Sequence, residues 1–166
     1  MRINLHEIID VPGGVVPFDC KLETDRLCFP AISRFLSEPT ASGRIENRAG
    51  ILTLTGELNA DMICICDRCA SEFEWKKTQA LHVQLAAELE DEENPDIFLL
   101  EDDCLDLDDV LETCFILDME TKCLCKEDCA GLCSSCGANL NTGECSCRKK
   151  VDPRFAVLEQ LLDKES

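Results

Sequence analysis

Between residues 125 and 147 the chain sets Cys125, Cys129, Cys133, Cys136, Cys145 and Cys147 at short intervals, and a Cys-x-x-Cys pair, Cys66 and Cys69, stands far upstream. Two thiolates on one tight turn point at a common centre, so this spacing suits a soft metal ion, zinc first. Cys133-Ser134-Ser135-Cys136-Gly137 has the form of a zinc knuckle. The glycine can take the positive φ that turns backbone N–H groups toward sulfur. Residues 121–150 hold few large apolar side chains besides Leu124, Leu132 and Leu140. A segment that poor in core residues would hardly fold alone, so metal ligation is expected to stabilise it.

Disulfides are the competing use of thiols. Residues 1–10 carry Arg2, Glu7 and Asp10 and no apolar run, and no segment is apolar for long enough to span a membrane. The expectation is a cytoplasmic chain without a signal peptide, kept reduced. Fourteen cysteines would suit a disulfide scaffold in a much shorter chain; one of 166 residues can bury roughly 70% of its unfolded surface without staples.

Eight of the cysteines divide into two four-cysteine sites, the closed tetrahedral arrangement of structural zinc. Cys133, Cys136, Cys145 and Cys147 would form a compact ribbon-like site; Cys66, Cys69, Cys125 and Cys129 would form another that staples a sheet turn to the tail. A single tail site, with Cys66 and Cys69 outside it, is the alternative partition. Cys64 and Cys114 lie in apolar periodicities and read as small core residues. Cys20, Cys28 and Cys104 are isolated, and either sulfur of Cys123-Leu124-Cys125 could be the donor. The C-x-x-x-C-x-x-C spacing from Cys129 also occurs in [4Fe–4S] radical enzymes, but the alternating α/β pattern such a barrel needs is absent. A thioredoxin-like role for Cys66 and Cys69 lacks a surrounding βαβ pattern, and Asp67 opposes a stabilised thiolate.

Leu52, Leu54, Leu58, Met62 and Cys64 alternate with Thr53, Thr55, Glu57, Asn59 and Asp61, which predicts a long strand with one buried face. A turn at residues 46–50 makes the segment around 42–46 its hairpin partner. Phe73, Trp75, Leu81, Val83, Leu85, Ala87 and Leu89 again recur at every second position, so the cysteine pair falls at a turn of an antiparallel meander. Leu107, Val110, Leu111 and Cys114 then follow helical spacing, with Asp106 or Asp108 to cap them. Asp152-Pro153 opens a second helix carrying Phe155, Leu158, Leu161 and Leu162. The expected fold is α+β: an antiparallel meander sheet, barrel-like closure being one option, with one or two packed helices. Its domains are residues 1–120 and a cysteine-rich segment, 121–166, whose C-terminal helix packs back on the first.

Net charge is −18, and 13 of the 34 acidic residues fall in residues 88–112, within a stretch free of Lys and Arg from 78 to 121. Such a surface repels phosphate, so weak or no binding to naked RNA is expected, and a basic protein partner suits the field better. A solvated acidic loop is the plainer reading. His6 and His82 are the only histidines, and no phosphate loop or nucleophile motif is present. No catalytic residues and no small-molecule substrate are expected.

The strand ending in Cys66-Asp67-Arg68-Cys69, the acidic segment leading to Asp106-Leu107-Asp108, the block from Cys125 through Cys133-Ser-Ser-Cys136-Gly-Ala-Asn-Leu-Asn141, the Cys145-Ser-Cys147 pair and the closing Val151-Asp152-Pro153-Arg154 together resemble the YceD family. These are bacterial and plastid proteins associated with accumulation of large-subunit ribosomal RNA. The resemblance runs from about residue 51 to the end. It implies a non-enzymatic role in large-subunit assembly. Genes of this family commonly lie beside that of a small basic zinc-ribbon protein of the large subunit, which agrees with an acidic partner surface. A metal- or redox-responsive regulatory module is the rival reading.

Overall fold

The alternating segment that follows the Ala49-Gly50 turn becomes the central strand of the computed structural model, which describes residues 1–87, 97–143 and 145–147. In chain order the elements are β1 (Arg2–Asn4), α1 (His6–Ile9), β2 (Val15–Lys21), β3 (Ile32–Phe35), β4 (Thr40–Arg48), β5 (Ile51–Ile65), β6 (Glu72–Ala86), β7 (Ile97–Leu99), β8 (Cys104–Asp106) and α2 (Leu107–Leu117). They belong to a first unit, Met1–Asp67 with Ser71–Cys125; a second comprises Arg68–Ala70 and Lys126–Ser166.

The main sheet of the first unit runs β2-β4-β5-β6-β7, with β3 paired to β5, and β1 pairs separately with β8. Strands β4, β5 and β6 form the predicted antiparallel meander. Ala49 (φ 53°) and Gly50 (φ 93°) connect β4 to β5. Positive φ at both residues gives the turn a twist that matches the strands. The sheet departs from expectation in two ways. Strand β7 lies parallel to β6, and the sheet is open rather than closed into a barrel. Closure needs two end strands able to complete each other's ladders; β7 has only three residues, and β2 carries Pro17, which has no N–H to donate.

Leu52, Leu54, Leu58, Met62 and Cys64 of β5 and Leu81, Val83 and Leu85 of β6 are buried in one cluster with Leu107, Val110, Leu111 and Phe115 of α2. Asp106 caps that helix, its carboxylate accepting from the Asp108 N–H at 3.2 Å, and the Phe35 and Phe115 rings meet at 6.1 Å. Each such side chain contributes about 1.5–3 kcal/mol by leaving water. The Lys77 side chain is only 8% exposed; its ammonium donates to the Asp118 carbonyl at 2.8 Å and to the Asp118 carboxylate, as a buried charge requires. Gly43 and Gly56 are register partners. A Cβ on Gly43 would lie 2.6 Å from the Gly56 Cα, and one on Gly56 would lie 2.9 Å from the Gly43 Cα and meet the Ser42 carbonyl oxygen. Only glycines allow the strands this approach.

Within the second unit Leu132 bridges Asn139 antiparallel; the Leu132 N–H donates to the Arg68 carbonyl at 3.1 Å and the Leu140 N–H to that of Gly131 at 2.9 Å. No helix among the described residues is long and apolar enough to cross a membrane. The helix expected from Asp152, Leu89, the acidic residues from Glu88 to Asp96, and the basic cluster Arg148, Lys149, Lys150 and Arg154 lie outside the described residues.

Candidate metal centres

The structure gathers the eight cysteines named from spacing into two fours. The sulfurs of Cys66, Cys69, Cys125 and Cys129 all lie within 4.8 Å of one another, and so do those of Cys133, Cys136, Cys145 and Cys147. Either group could hold a metal ion. A tetrahedral ion with bonds of about 2.3 Å sets its sulfurs about 3.8 Å apart, within reach of this spacing.

Local backbone chemistry builds each half of the first group. Where β5 ends, the Cys66 N–H donates to the Ser71 carbonyl at 3.0 Å, and the Asp67 N–H to that of Cys123 at 2.9 Å. The Asp67 carboxylate accepts from the Cys123 N–H at 2.7 Å, so Asp67 positions this chain segment. Ala70, just after Cys69, takes a φ of 55° to close the turn. In the second unit the Arg68 guanidinium donates to the Glu127 carbonyl at 3.2 Å and to the Cys129 carbonyl at 3.2 Å. Asn141, the last residue of the motif block, has no sulfur-positioning role that the sequence reveals. Its Nδ2 donates to the Cys129 sulfur at 3.3 Å, and its Oδ1 accepts from the Ala130 N–H at 2.9 Å. An amide twelve residues beyond a cysteine gives no local signal; only the closed loop brings it to sulfur.

The second group is built by the predicted knuckle. The Cys133 N–H donates to the Ala138 carbonyl and the Gly137 N–H to the Cys133 carbonyl, both at 2.8 Å, with Gly137 at a φ of 74°. The Ser135 N–H reaches the Cys133 sulfur at 3.4 Å. This N–H and that of Cys136 pull the Cys133 thiol down to about 6. Cys145 is pulled down by the Cys147 N–H but raised on balance, because its thiol hydrogen-bonds to the Cys133 sulfur. Cys147 is pushed up to about 12, its thiol bonded to the Cys136 sulfur. A bound dication would displace the thiol protons.

The remaining thiols are elsewhere. Cys64 and Cys123 are 0% and 2% exposed and belong to the apolar core. Burial, with Cys123 beside it, pushes the Cys64 thiol up to about 11. Of the two sulfurs in Cys123-Leu124-Cys125, the one in a four-sulfur group is therefore Cys125. Cys114 is half-buried against the core, and Cys20, Cys28 and Cys104 lie outside both groups.

An uncharacterized protein of Mycobacterium bovis and two of Mycobacterium tuberculosis are each 28% identical to this chain over 127 residues, covering 74% of the chain and 61% of the relative. The chain thus spans about three-fifths of the length of the curated relatives it matches. No solved structure matches it. Residues 54–162, which include both cysteine groups, match the model of "Large ribosomal RNA subunit accumulation protein YceD"; the chain belongs to the YceD family.

Proposed function

We propose that this chain is a non-enzymatic, cytoplasmic factor supporting accumulation of large-subunit ribosomal RNA, and that it acts by binding a basic protein of the assembling subunit. The observation that carries the reading is the family match across residues 54–162. The charge of −18 supports a basic protein over naked RNA as the direct partner.

In this reading the two cysteine groups bind zinc, with Cys66, Cys69, Cys125 and Cys129 as one ligand set and Cys133, Cys136, Cys145 and Cys147 as the other. All-sulfur, four-ligand sets leave no open position for substrate, which suits a structural role. Zinc, as a soft dication, supplies the charge that four close thiolates need. Residues 121–166 then form a metal-stabilised domain, distinct from a sheet domain of residues 1–120.

Sedimentation tests the reading. Tagged protein is followed through a gradient of ribosomal particles, and bound proteins and RNA are identified. Co-migration with precursor large subunits through a salt-sensitive protein contact is expected. Confinement to the top of the gradient, with depletion leaving large-subunit RNA levels unchanged, would sink it and favour the regulatory alternative.

A further inference from the structure

A groove of about 590 Å³ runs between β6 and α2 in the first unit, lined among others by Ala80, His82, Phe98, Cys114 and Leu117. One wall is a strand edge. Strand β6 pairs with β5 along nearly its whole length, yet among the described residues its other side meets only β7, at Gln84 to Ala86. The Ala86 carbonyl accepts from the Leu100 N–H at 2.9 Å on that side. Backbone groups of a strand alternate direction residue by residue, so Thr78, Ala80 and His82 present their N–H and C=O groups there too. Among the described residues no backbone hydrogen bond reaches them on this side.

The rest of the groove asks for a donor and for apolar contact. Gln79 donates its Nε2 to the Cys114 carbonyl at 2.9 Å, while its buried Oε1 accepts nothing among the described residues. Leu117, at the end of α2, is 80% exposed, and Phe98 is only half-covered. The electrostatics favour a cation. Every lining residue falls within residues 78–121, which contain no Lys or Arg. The C-terminal end of α2, with its negative dipole end, opens here with no basic residue in its last turn. The Lys77 ammonium beside the groove's Asp118 is already held by that residue.

We propose that this groove binds an extended, basic, partly apolar peptide segment of a protein partner, added as a strand to the β6 edge. Main-chain bonds to Thr78, Ala80 and His82 give affinity, an N–H or ammonium of the peptide reaches Gln79 Oε1, and Leu117 and Phe98 receive apolar side chains. A second copy of this chain would bring another −18 charge to the same field, and RNA would bring phosphate; neither suits it. The inference rests on the partner class proposed above and supplies its docking surface.

The test titrates the full chain with a short synthetic peptide alternating Lys and Val, with an equally charged peptide interrupted by prolines, with an alternating Glu–Val peptide, and with a single-stranded RNA oligomer. Backbone amide exchange is the readout. With Lys–Val peptide at about ten times its Kd, exchange at Ala80 and His82 should slow about tenfold. The other three probes should leave it unchanged. Leu117→Lys should weaken Lys–Val binding about tenfold, as loss of one apolar contact implies. Equal protection by the proline peptide, protection by RNA, or protection that rises with protein concentration alone would overturn the proposal. Peptide closure on β6 in a protein that fails to co-sediment with precursor subunits would keep the groove and remove the ribosomal reading. Co-sedimentation unchanged in Leu117→Lys would do the reverse.

Discussion

Replacing Asn141 by alanine should weaken zinc binding at the first cysteine group while leaving the sheet intact. Among the described residues the side chain makes three bonds: Nδ2 to the Cys129 sulfur at 3.3 Å, Nδ2 to the Asn139 Oδ1 at 2.8 Å, and Oδ1 from the Ala130 N–H at 2.9 Å. The last two hold the loop whether or not metal is present, so they largely cancel in metal affinity. The N–H···S bond does not cancel, because it gains strength when the sulfur is a thiolate; hydrogen bonds to charged groups contribute about 1.5–3 kcal/mol. The expected loss is roughly 10- to 100-fold in zinc affinity. The assay is competition against a chelator in a Cys133→Ser, Cys136→Ser background, which isolates the first group. Cobalt substitution gives an independent thiolate absorption band. Asn141→Asp should be worse, since it removes the donor and adds a negative charge beside the sulfurs. Affinity unchanged in Asn141→Ala would refute the positioning role.

Three further outcomes follow from the geometry. Gly56→Ala places a Cβ against the Ser42 carbonyl oxygen and 2.9 Å from the Gly43 Cα; it should cost roughly 2–3 kcal/mol and lower Tm by several degrees in thermal unfolding, and an unchanged Tm would show that the strands can part. Cys64→Ser should destabilise the sheet without releasing metal, whereas Cys133→Ser should release about one equivalent and loosen residues 121–147 in hydrogen exchange; equal metal loss from both would overturn the division between core and ligand cysteines. The Asp103 carboxylate, hydrogen-bonded to His6 at 2.9 Å, raises the histidine above its ordinary 6.5. The associated stabilisation is full below that ordinary value and lost as pH rises through the raised one; an NMR titration of His6 should show it, and Asp103→Asn should return the midpoint toward 6.5.

What the sequence disclosed depended on how local the signal was. The period of two in β5 and β6 and the helical spacing from Leu107 to Cys114 are properties of contiguous residues, and these elements formed as read, except that β6 ends at Ala86 and leaves Ala87 exposed beyond it. Strands β1, β7 and β8 have three residues each, too few for periodicity, and the pairing of Arg2 with Asp106 joins segments far apart in the chain. The parallel course of β7 is likewise set by where the chain returns. The cysteine pairs were legible because paired thiols on tight turns carry their own geometry, but the spacing left two partitions open, and the fold brings the pairs together as two fours. The choice between Cys123 and Cys125 was not legible, since it turns on which sulfur the core encloses. Asn141 was hidden for the same reason: its partner sulfur comes near only after the loop closes.

Metal analysis of the purified full chain tests the central claim most directly. Elemental quantification beside protein concentration should give about two equivalents of zinc, one for each four-sulfur group. One equivalent would contradict the pairing of Cys66 and Cys69 with Cys125 and Cys129, and a brown protein carrying iron would contradict zinc itself.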